Sequence, residues 1–222
     1  MIGDIQQKEI KEIYRTSIIQ QTAFWSNVKT MQGVETKAYN FKSTLAKLFS
    51  DSDDDTYFIG DLLILIQKLD KDHCIAYVPY GPEIEPSAEN QGSFLEQLSE
   101  GLKQFLPKDC IMIRYDLSWE SQWAQEEDCY DLHGNWVGVP EKRIQEMRVN
   151  FNTNHWNLRK ANTDILPSNT IFMDLHKSKE ELLGGMKTKT RYNINLATRK
   201  GVKIKSLGME SLDIWYELYR QT

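Results

Sequence analysis

The chain has 222 residues, of which 40% are hydrophobic, and it carries 27 Lys and Arg against 32 Asp and Glu, a formal net charge of −5 at pH 7. Its six Trp, ten Tyr and eight Phe exclude an intrinsically disordered chain. No apolar run approaches the roughly 18 residues that span a bilayer, and the first thirty residues lack a secretory pattern. We therefore expect a globular, cytoplasmic protein.

The first forty residues predict a helix followed by a strand. Thr22 is a typical N-cap for a helix that carries Trp25, Val28 and Met31 at helical spacing. Gly33 supplies the left-handed residue that commonly ends a helix, and an extended stretch follows over residues 34–41.

A hairpin, a helix and a further strand are predicted next. Two apolar runs, residues 62–66 and 74–78, flank a polar turn and indicate a hairpin of buried strands. Apolar residues then recur at helical spacing over residues 94–106 until Pro107, and residues 110–113 resume the sheet. This succession predicts a mixed α/β layer, and residues 119–131, which follow neither period, predict an irregular excursion.

The pattern restarts after Pro167. Ser178 and Glu181 form a capping box for one helix. The other predicted elements are a strand at residues 171–175, a helix at 189–200 that ends at Gly201, a strand at 202–207 and a helix from Ser211. Gly33-Val34 and Gly201-Val202 share the pattern Gly-Val-x-x-Lys, a faint echo that fits two copies of one α/β unit.

The most informative segment is residues 186–205, which contains seven Lys and Arg and no acid, while the rest of the chain carries 20 basic against 32 acidic residues. On a helix, Lys187, Arg191, Asn195 and Arg199 form one i, i+4 row. With Lys189 near the free N–H groups of the helix start, such a row suits a phosphate. A guanidinium can grip phosphate with two hydrogen bonds, which favours Arg191. The alternative is a solvated basic surface helix.

Other chemistry has little support in the sequence. A Gly-rich phosphate loop and a Gly-x-Ser-x-Gly elbow are both absent, and the four histidines are scattered. Asp116 and Asp174 end apolar runs and are candidates either for bases or for turn caps. Cys129 and His133 have the spacing of two metal ligands, but no second pair follows, so we predict no metal site. The catalytic group is left unassigned.

Several of these motifs together resemble the FemABX peptidyltransferases, which build the peptide branches of bacterial peptidoglycan. The resemblance covers most of the chain. Gln21, Thr22, Trp25 and Lys29 are similar to the opening helix of the family, and residues 77–82 to its Tyr-x-Pro-Arg-Gly-Pro turn, with Tyr80 in place of the Arg. The central family pattern is found at residues 170–175, 180–183, 186–194 and 200–202.

The resemblance implies two GNAT-like (acetyltransferase-type) domains, here at residues 1–165 and 166–222, with the second one incomplete, and it leaves open whether this chain is active. It implies aminoacyl-tRNA as donor, a peptidoglycan precursor as acceptor, no cofactor, no DNA partner and at most peripheral contact with the inner membrane face. Lys29 and Arg191 would contact the diphosphate of the precursor, supported by Lys187, Lys189 and Asn195. Candidate pocket walls are Trp25, Tyr80 and Tyr192.

Two other functions fit the sequence. The basic row would also suit a precursor-binding or RNA-binding module without chemistry, although the acidic remainder of the chain argues against broad RNA binding. A GNAT-type acyltransferase that uses another acyl donor is the enzymatic alternative.

Overall fold

The computed structural model describes residues 2–50, 54–167, 169–171 and 173–222. The chain divides into two compact units, Met1–Ser168 and Asn169–Thr222. The assignment of residues 1–165 and 166–222 to GNAT-like domains remains a prediction. Across the described residues, no helix combines the length and the apolar character that crossing a membrane requires.

The first unit is built on a five-stranded mixed sheet in which neighbours along the chain are also neighbours in the sheet. Its strands are β1 (Ile2–Lys8), β2 (Glu35–Thr44), β3 (Tyr57–Lys68), β4 (Cys74–Pro79) and β5 (Cys110–Asp116). All adjacent pairs are antiparallel except β4 and β5, which are parallel. The predicted mixed α/β class is confirmed, and the order of elements is consistent with an acyltransferase-like fold.

Helices stand between the strands and after them. The α-helices are α1 (Ala23–Met31), α2 (Leu45–Leu48), α3 (Gln91–Leu102), α4 (Lys142–Val149), α5 (Lys179–Gly185), α6 (Thr188–Arg199) and α7 (Leu212–Gln221). Helix α3 provides the crossover that a parallel pair such as β4 and β5 requires. The predicted irregular excursion holds two short 3-10 turns, Gln122–Gln125 and Glu127–Cys129.

Strand β3 separates two apolar layers because its side chains alternate. Leu62, Ile64 and Ile66 belong to the main core, where they join side chains of α3 such as Phe94. Leu63 and Leu65 belong to a smaller cluster on the other face, packed against Trp25 of α1 among others. Because both faces are covered, every residue of β4 is buried, as the uninterrupted apolar run predicted.

Helices α1 and α6 end in the same way, as the repeated Gly-Val pair indicated. Gly33 has φ 81° and Gly201 has φ 75°, values that favour glycine. Val34 N–H donates to the carbonyl of Lys29 at 3.0 Å, and Val202 N–H to that of Ala197 at 3.1 Å. Both are Schellman motifs. The Thr22 cap is also confirmed, since its side chain accepts from Trp25 N at 3.3 Å.

The two strands predicted in the second unit are wrong for the described residues. Residues 171, 173–175 and 202–207 are exposed and unpaired, while Phe172 lies outside the described part of the chain. An alternating pattern becomes a strand only where a neighbouring strand accepts its backbone hydrogen bonds. Within residues 169–171 and 173–222 the regular elements are helices alone.

Candidate functional site

Lys29 lies in the last turn of α1, where the helix dipole favours a cation. Its Nζ is 4.9 Å from the centre of the Trp25 ring and 3.0 Å from Oε1 of Gln32. None of the described acidic side chains forms an ion pair with it. The ammonium group is therefore held in place by a cation–π contact while keeping its charge uncompensated.

Trp25 provides the platform beneath Lys29. The indole packs against the cluster of Leu63, Leu65 and Tyr77 on the sheet. Its Nε1–H is buried and finds no acceptor among the described residues. Trp25 is thus fixed by the sheet, although its role as a pocket wall remains a prediction.

Tyr80 follows β4 in a backbone conformation that is uncommon for a residue with a side chain, with φ 48°. Its hydroxyl donates a hydrogen bond to the carbonyl oxygen of Pro167 at 3.2 Å, which fixes the hydroxyl end of the side chain. Such strained residues often stand at functional sites because the surrounding structure holds them there. The position of Tyr80 at the carboxyl end of β4 keeps it a candidate pocket wall.

The two candidate bases, Asp116 and Asp174, both accept hydrogen bonds from backbone N–H groups. At the end of β5, Asp116 accepts from the Tyr77 hydroxyl at 2.9 Å and from the N–H groups of Ile165 and Leu166 at 3.2 and 3.0 Å. Asp174 accepts from His176 N–H at 3.0 Å. Both carboxylates therefore fit the alternative role of capping a turn, and the catalytic group stays unassigned.

The start of α6 concentrates positive charge where a helix ordinarily prefers negative charge. Its first turn holds no acid, and no side chain caps it. Lys187 is the N-cap with ψ 146°, so it precedes the helix, and the predicted row of side chains begins within the helix only at Arg191. By contrast, the neighbouring α5 has a complete Ser178–Glu181 capping box and two Glu in its first turn.

Arg191 folds back from α6 onto the end of α5. Its Nη1 donates to the carbonyl oxygens of Met186, of Gly184 at 3.2 Å and of Leu183 at 3.5 Å, and its Nη2 to Oγ1 of Thr188 at 3.3 Å. A cation at these carbonyls is favoured by the dipole of α5. Because a guanidinium has five N–H donors, Nε–H and one Nη2–H remain for a ligand.

The rest of the basic segment is exposed. Arg199 lies over the Tyr192 ring, with its Cζ 5.9 Å from the ring centre, and Asn195 is open to solvent. None of the described acidic side chains forms an ion pair with a basic residue of 186–205. The segment therefore presents an uncompensated cationic surface.

The predicted site residues are divided between the two units. Lys29, Trp25 and Tyr80 belong to Met1–Ser168, whereas Lys187, Lys189, Arg191, Tyr192 and Asn195 belong to Asn169–Thr222. Their convergence on one diphosphate remains a prediction.

The cysteines show no sign of reactive chemistry. Cys74 is fully buried on β4, and burial raises the pKa of its thiol to about 11. Among the described residues, no three His, Cys, Asp or Glu side chains are grouped as a metal site would require.

The sequence model of the FemAB family matches residues 11–222, a span that includes every residue predicted for the site. No curated protein matches the chain.

Proposed function

The chain belongs to the FemAB family, a family of peptidoglycan-related transferases, and on this premise we propose that it transfers an amino acid from aminoacyl-tRNA to a peptidoglycan precursor. The acceptor is the amine of the precursor's stem peptide, in the soluble nucleotide-linked form or the lipid-linked form. Such a reaction takes place on the cytoplasmic side of the membrane.

The observation that carries this proposal is the cationic start of α6. Lys187 and Lys189 stand where the helix dipole is positive, and each such placement costs roughly 0.3 to 1 kcal/mol at low ionic strength. A bound diphosphate would reverse this penalty, because its charge would meet both the side chains and the free N–H groups of the first turn. Departures from local preference of this kind are expected at functional sites.

Arg191 and Lys29 extend the same argument. The contacts of Arg191 with α5 fix its guanidinium while leaving two N–H donors, so little side-chain entropy is lost when phosphate binds. Lys29 is similarly fixed on Trp25. The guanidinium of Arg191 and the ammonium of Lys29 are thus held in place without acidic partners. This arrangement supports a bound anion better than it supports a solvated basic surface, because solvated side chains need no contacts to hold them.

The chemistry proposed is direct aminolysis. The stem-peptide amine attacks the carbonyl carbon of the aminoacyl ester, forms the new amide bond and loses its proton, while the ester C–O bond breaks and the tRNA ribose hydroxyl leaves. Since the ester is already activated, catalysis rests on holding two anionic substrates in line and on stabilising the tetrahedral oxyanion. An acyl-CoA donor takes no part.

A transfer assay tests this function. The chain is incubated with precursor and with tRNA charged with a radiolabelled amino acid, and in parallel with radiolabelled acetyl-CoA. We expect label from the tRNA alone to reach the precursor. Label from acetyl-CoA would establish the other acyl donor. Absence of transfer, together with no thermal protection by precursor and no binding of tRNA, would refute the proposal.

A further inference from the structure

A second cationic stretch lies outside the basic segment, in the first unit. Helix α4 and the loop that follows it, residues 142–160, carry five Lys and Arg against one acid, Glu146. The whole chain has a formal net charge of −5, so this stretch opposes the overall charge, as residues 186–205 do. Residues 150–160 of this stretch are called the Trp156 loop below.

The carboxylate of Glu96 on α3 holds the middle of the Trp156 loop. Glu96 is only 2% exposed, and its two carboxylate oxygens accept hydrogen bonds from the N–H groups of Asn154 at 2.7 Å and His155 at 2.8 Å. None of the described basic side chains forms an ion pair with Glu96. Because a buried carboxylate is costly unless hydrogen bonds satisfy it, these two bonds favour one conformation of the loop.

Asn150 closes the base of the loop. Its buried side chain donates from Nδ2 to the carbonyl oxygen of Leu158 at 2.9 Å, and its Oδ1 accepts from Leu158 N–H at 3.1 Å. The end of the loop is bound to α4, since Lys160 N–H donates to Oε1 of Glu146 at 3.0 Å. The loop is therefore fixed at its base, middle and end, and a ligand would find it already ordered.

Trp156 is exposed on this fixed loop. Its backbone has φ 50°, which is an outlier for a bulky residue, and 52% of the residue is exposed. Strained residues of this kind cluster at ligand sites because the surrounding structure holds them there. The indole is thus held at the surface by the backbone of the loop.

Arg159 is fixed beside the Trp156 backbone. Its Nη1 donates to the carbonyl oxygens of Trp156 at 2.8 Å and Leu158 at 3.0 Å. None of the described acids forms an ion pair with Arg159, and its remaining N–H groups are free for a phosphate. The adjacent Lys160 has a 3.9 Å ion pair with Asp164, and a pair between such exposed groups contributes little.

An aromatic ring beside cations is typical of proteins that bind unpaired nucleotides, since bases stack on the ring and phosphates pair with Arg and Lys. A loop that lies in a membrane surface also combines aromatic and basic residues, but its aromatic side has apolar neighbours. The immediate neighbours of the indole are Asn154, His155 and Asn157, which are polar and exposed. Their side chains can form hydrogen bonds with base edges, so these observations favour RNA.

We propose that the Trp156 loop binds the unpaired end of an RNA, with a base stacked on the Trp156 indole and phosphates at Arg159 and Lys160. The identification of this RNA as the aminoacyl-tRNA donor rests on the proposed function. The unpaired end of the tRNA carries the aminoacyl ester, so the loop would hold the donor close to its reacting group.

Fluorescence anisotropy with a short RNA tests the loop without precursor or charged tRNA. The probes are the labelled tetranucleotide ACCA and an abasic chain with the same ribose and phosphate groups. We expect saturable binding of ACCA and about tenfold weaker binding of the abasic chain, because the abasic chain cannot stack. Equal binding of both probes, or no binding of either, would overturn the inference.

Substitution of the indole gives a second test. Trp156→Asn removes the ring, and Asn tolerates the left-handed backbone, so the loop should keep its shape. We expect the Kd of ACCA to rise about tenfold, which corresponds to about 1.4 kcal/mol, and Trp156→Phe to lose less because it keeps a ring. Trp136→Ala removes an exposed indole outside the loop and should leave the Kd unchanged. An unchanged Kd in Trp156→Asn would overturn the inference.

The phosphate contact has a matched control. Lys160 and Lys103 are both exposed, and each has one ion pair at 3.9 Å, with Asp164 and Glu100 respectively. Lys160→Gln should weaken ACCA binding and lower the slope of log Kd against log salt by about one, whereas Lys103→Gln should change neither. Equal effects of the two changes would contradict a local phosphate contact.

A membrane surface is tested with vesicles of phosphatidylglycerol. We expect Trp156→Asn to leave sedimentation with these vesicles unchanged while it weakens ACCA binding. The reverse result, loss of vesicle binding with unchanged ACCA binding, would assign the loop to a membrane and overturn the inference.

The two proposals can fail separately. Binding of uncharged tRNA that Trp156→Asn weakens, without any tRNA-dependent transfer, would refute the proposed function and leave the RNA site in place. Transfer that Trp156→Asn does not slow at subsaturating tRNA would refute the RNA site and leave the proposed function in place.

Discussion

The carboxylate of Asp116 accepts a hydrogen bond from the Tyr77 hydroxyl at 2.9 Å, and the two residues stand on the neighbouring parallel strands β5 and β4. The same Oδ2 atom accepts from the N–H groups of Ile165 and Leu166. Burial and this hydrogen bond both raise the pKa of Tyr77. Asp116 thus fastens residues 165–166 to the parallel edge of the sheet.

Replacement of the two partners should have unequal effects on stability. Asp116→Ala removes the acceptor of four donors, since Arg114 Nε also contacts this carboxylate at 3.3 Å. It should lower the free energy of unfolding by about 1 to 3 kcal/mol, the usual cost of leaving partly buried polar groups unpaired. Tyr77→Phe removes one donor from a carboxylate that keeps others, so its cost should be smaller, about 0.5 to 1.5 kcal/mol. Urea unfolding of both variants measures the difference. Equal losses would contradict the anchoring role of Asp116.

Local signals in the sequence predicted much of the fold. The Thr22 cap, the left-handed Gly33 and the apolar runs of β3 and β4 act over a few residues, and each produced the predicted element. Strand β1 was missed because it lies at the edge of the sheet and buries little besides Ile5. The strands predicted at residues 171–175 and 202–207 were wrong for the described residues because an alternating pattern does not reveal whether a partner strand is present.

Charge reversal should separate the roles of Arg191 and Arg199. Arg191→Glu places a negative charge beside the cationic start of α6 and should weaken precursor binding at least tenfold. Arg199→Glu, at the last residue of α6 and eight residues from Arg191, should weaken it much less. Calorimetric Kd values for the precursor decide between them, and equal weakening would indicate a diffuse basic surface.

The structural contacts of Arg191 require a control for this comparison. Because its guanidinium also binds the carbonyl groups at the end of α5, Arg191→Glu can disturb the junction between the helices. Arg191→Lys keeps the charge and loses the fork of parallel donors, so we expect intermediate affinity with an unchanged far-UV spectrum. Full affinity in Arg191→Lys would show that charge alone is recognised.

Salt dependence should distinguish a diphosphate pocket from a nucleic-acid surface. RNA bound along the basic segment would release several counterions, and its affinity would fall steeply as salt increases. Precursor binding through one diphosphate should respond shallowly over the same range. Titration of both ligands between about 50 and 200 mM salt measures the two slopes. A steep slope for the precursor would contradict the single pocket.

Alkaline pH should destabilise the first unit through Tyr39. Burial, followed by the charge of Glu35, raises its pKa from 10.0 to about 12. Since the unfolded chain ionises first, this tyrosine contributes stability that is complete below pH 10 and is lost as pH rises towards 12. We expect the free energy of unfolding of Tyr39→Phe to fall less between pH 9 and pH 12 than that of the wild type. Parallel pH profiles would show that Tyr39 titrates normally.

The candidate site was less predictable than the fold. Composition identified the basic segment, and the family resemblance identified Lys29. Neither revealed that Arg191 binds the carbonyl groups at the end of α5, because that contact depends on how the two helices meet. A pocket around Gly60 in the first unit was missed altogether. Its lining comes from several short stretches spread between residues 14 and 85, and each stretch looks ordinary by itself.

Calorimetric titration with two forms of one ligand tests the diphosphate site most directly. One form is the nucleotide-linked precursor, and the other is the same sugar peptide without the nucleotide and its diphosphate. We predict that the diphosphate-bearing form binds at least tenfold more tightly and that Arg191→Glu removes this advantage. Equal affinity of the two forms for the wild-type chain would contradict recognition of the precursor through its diphosphate.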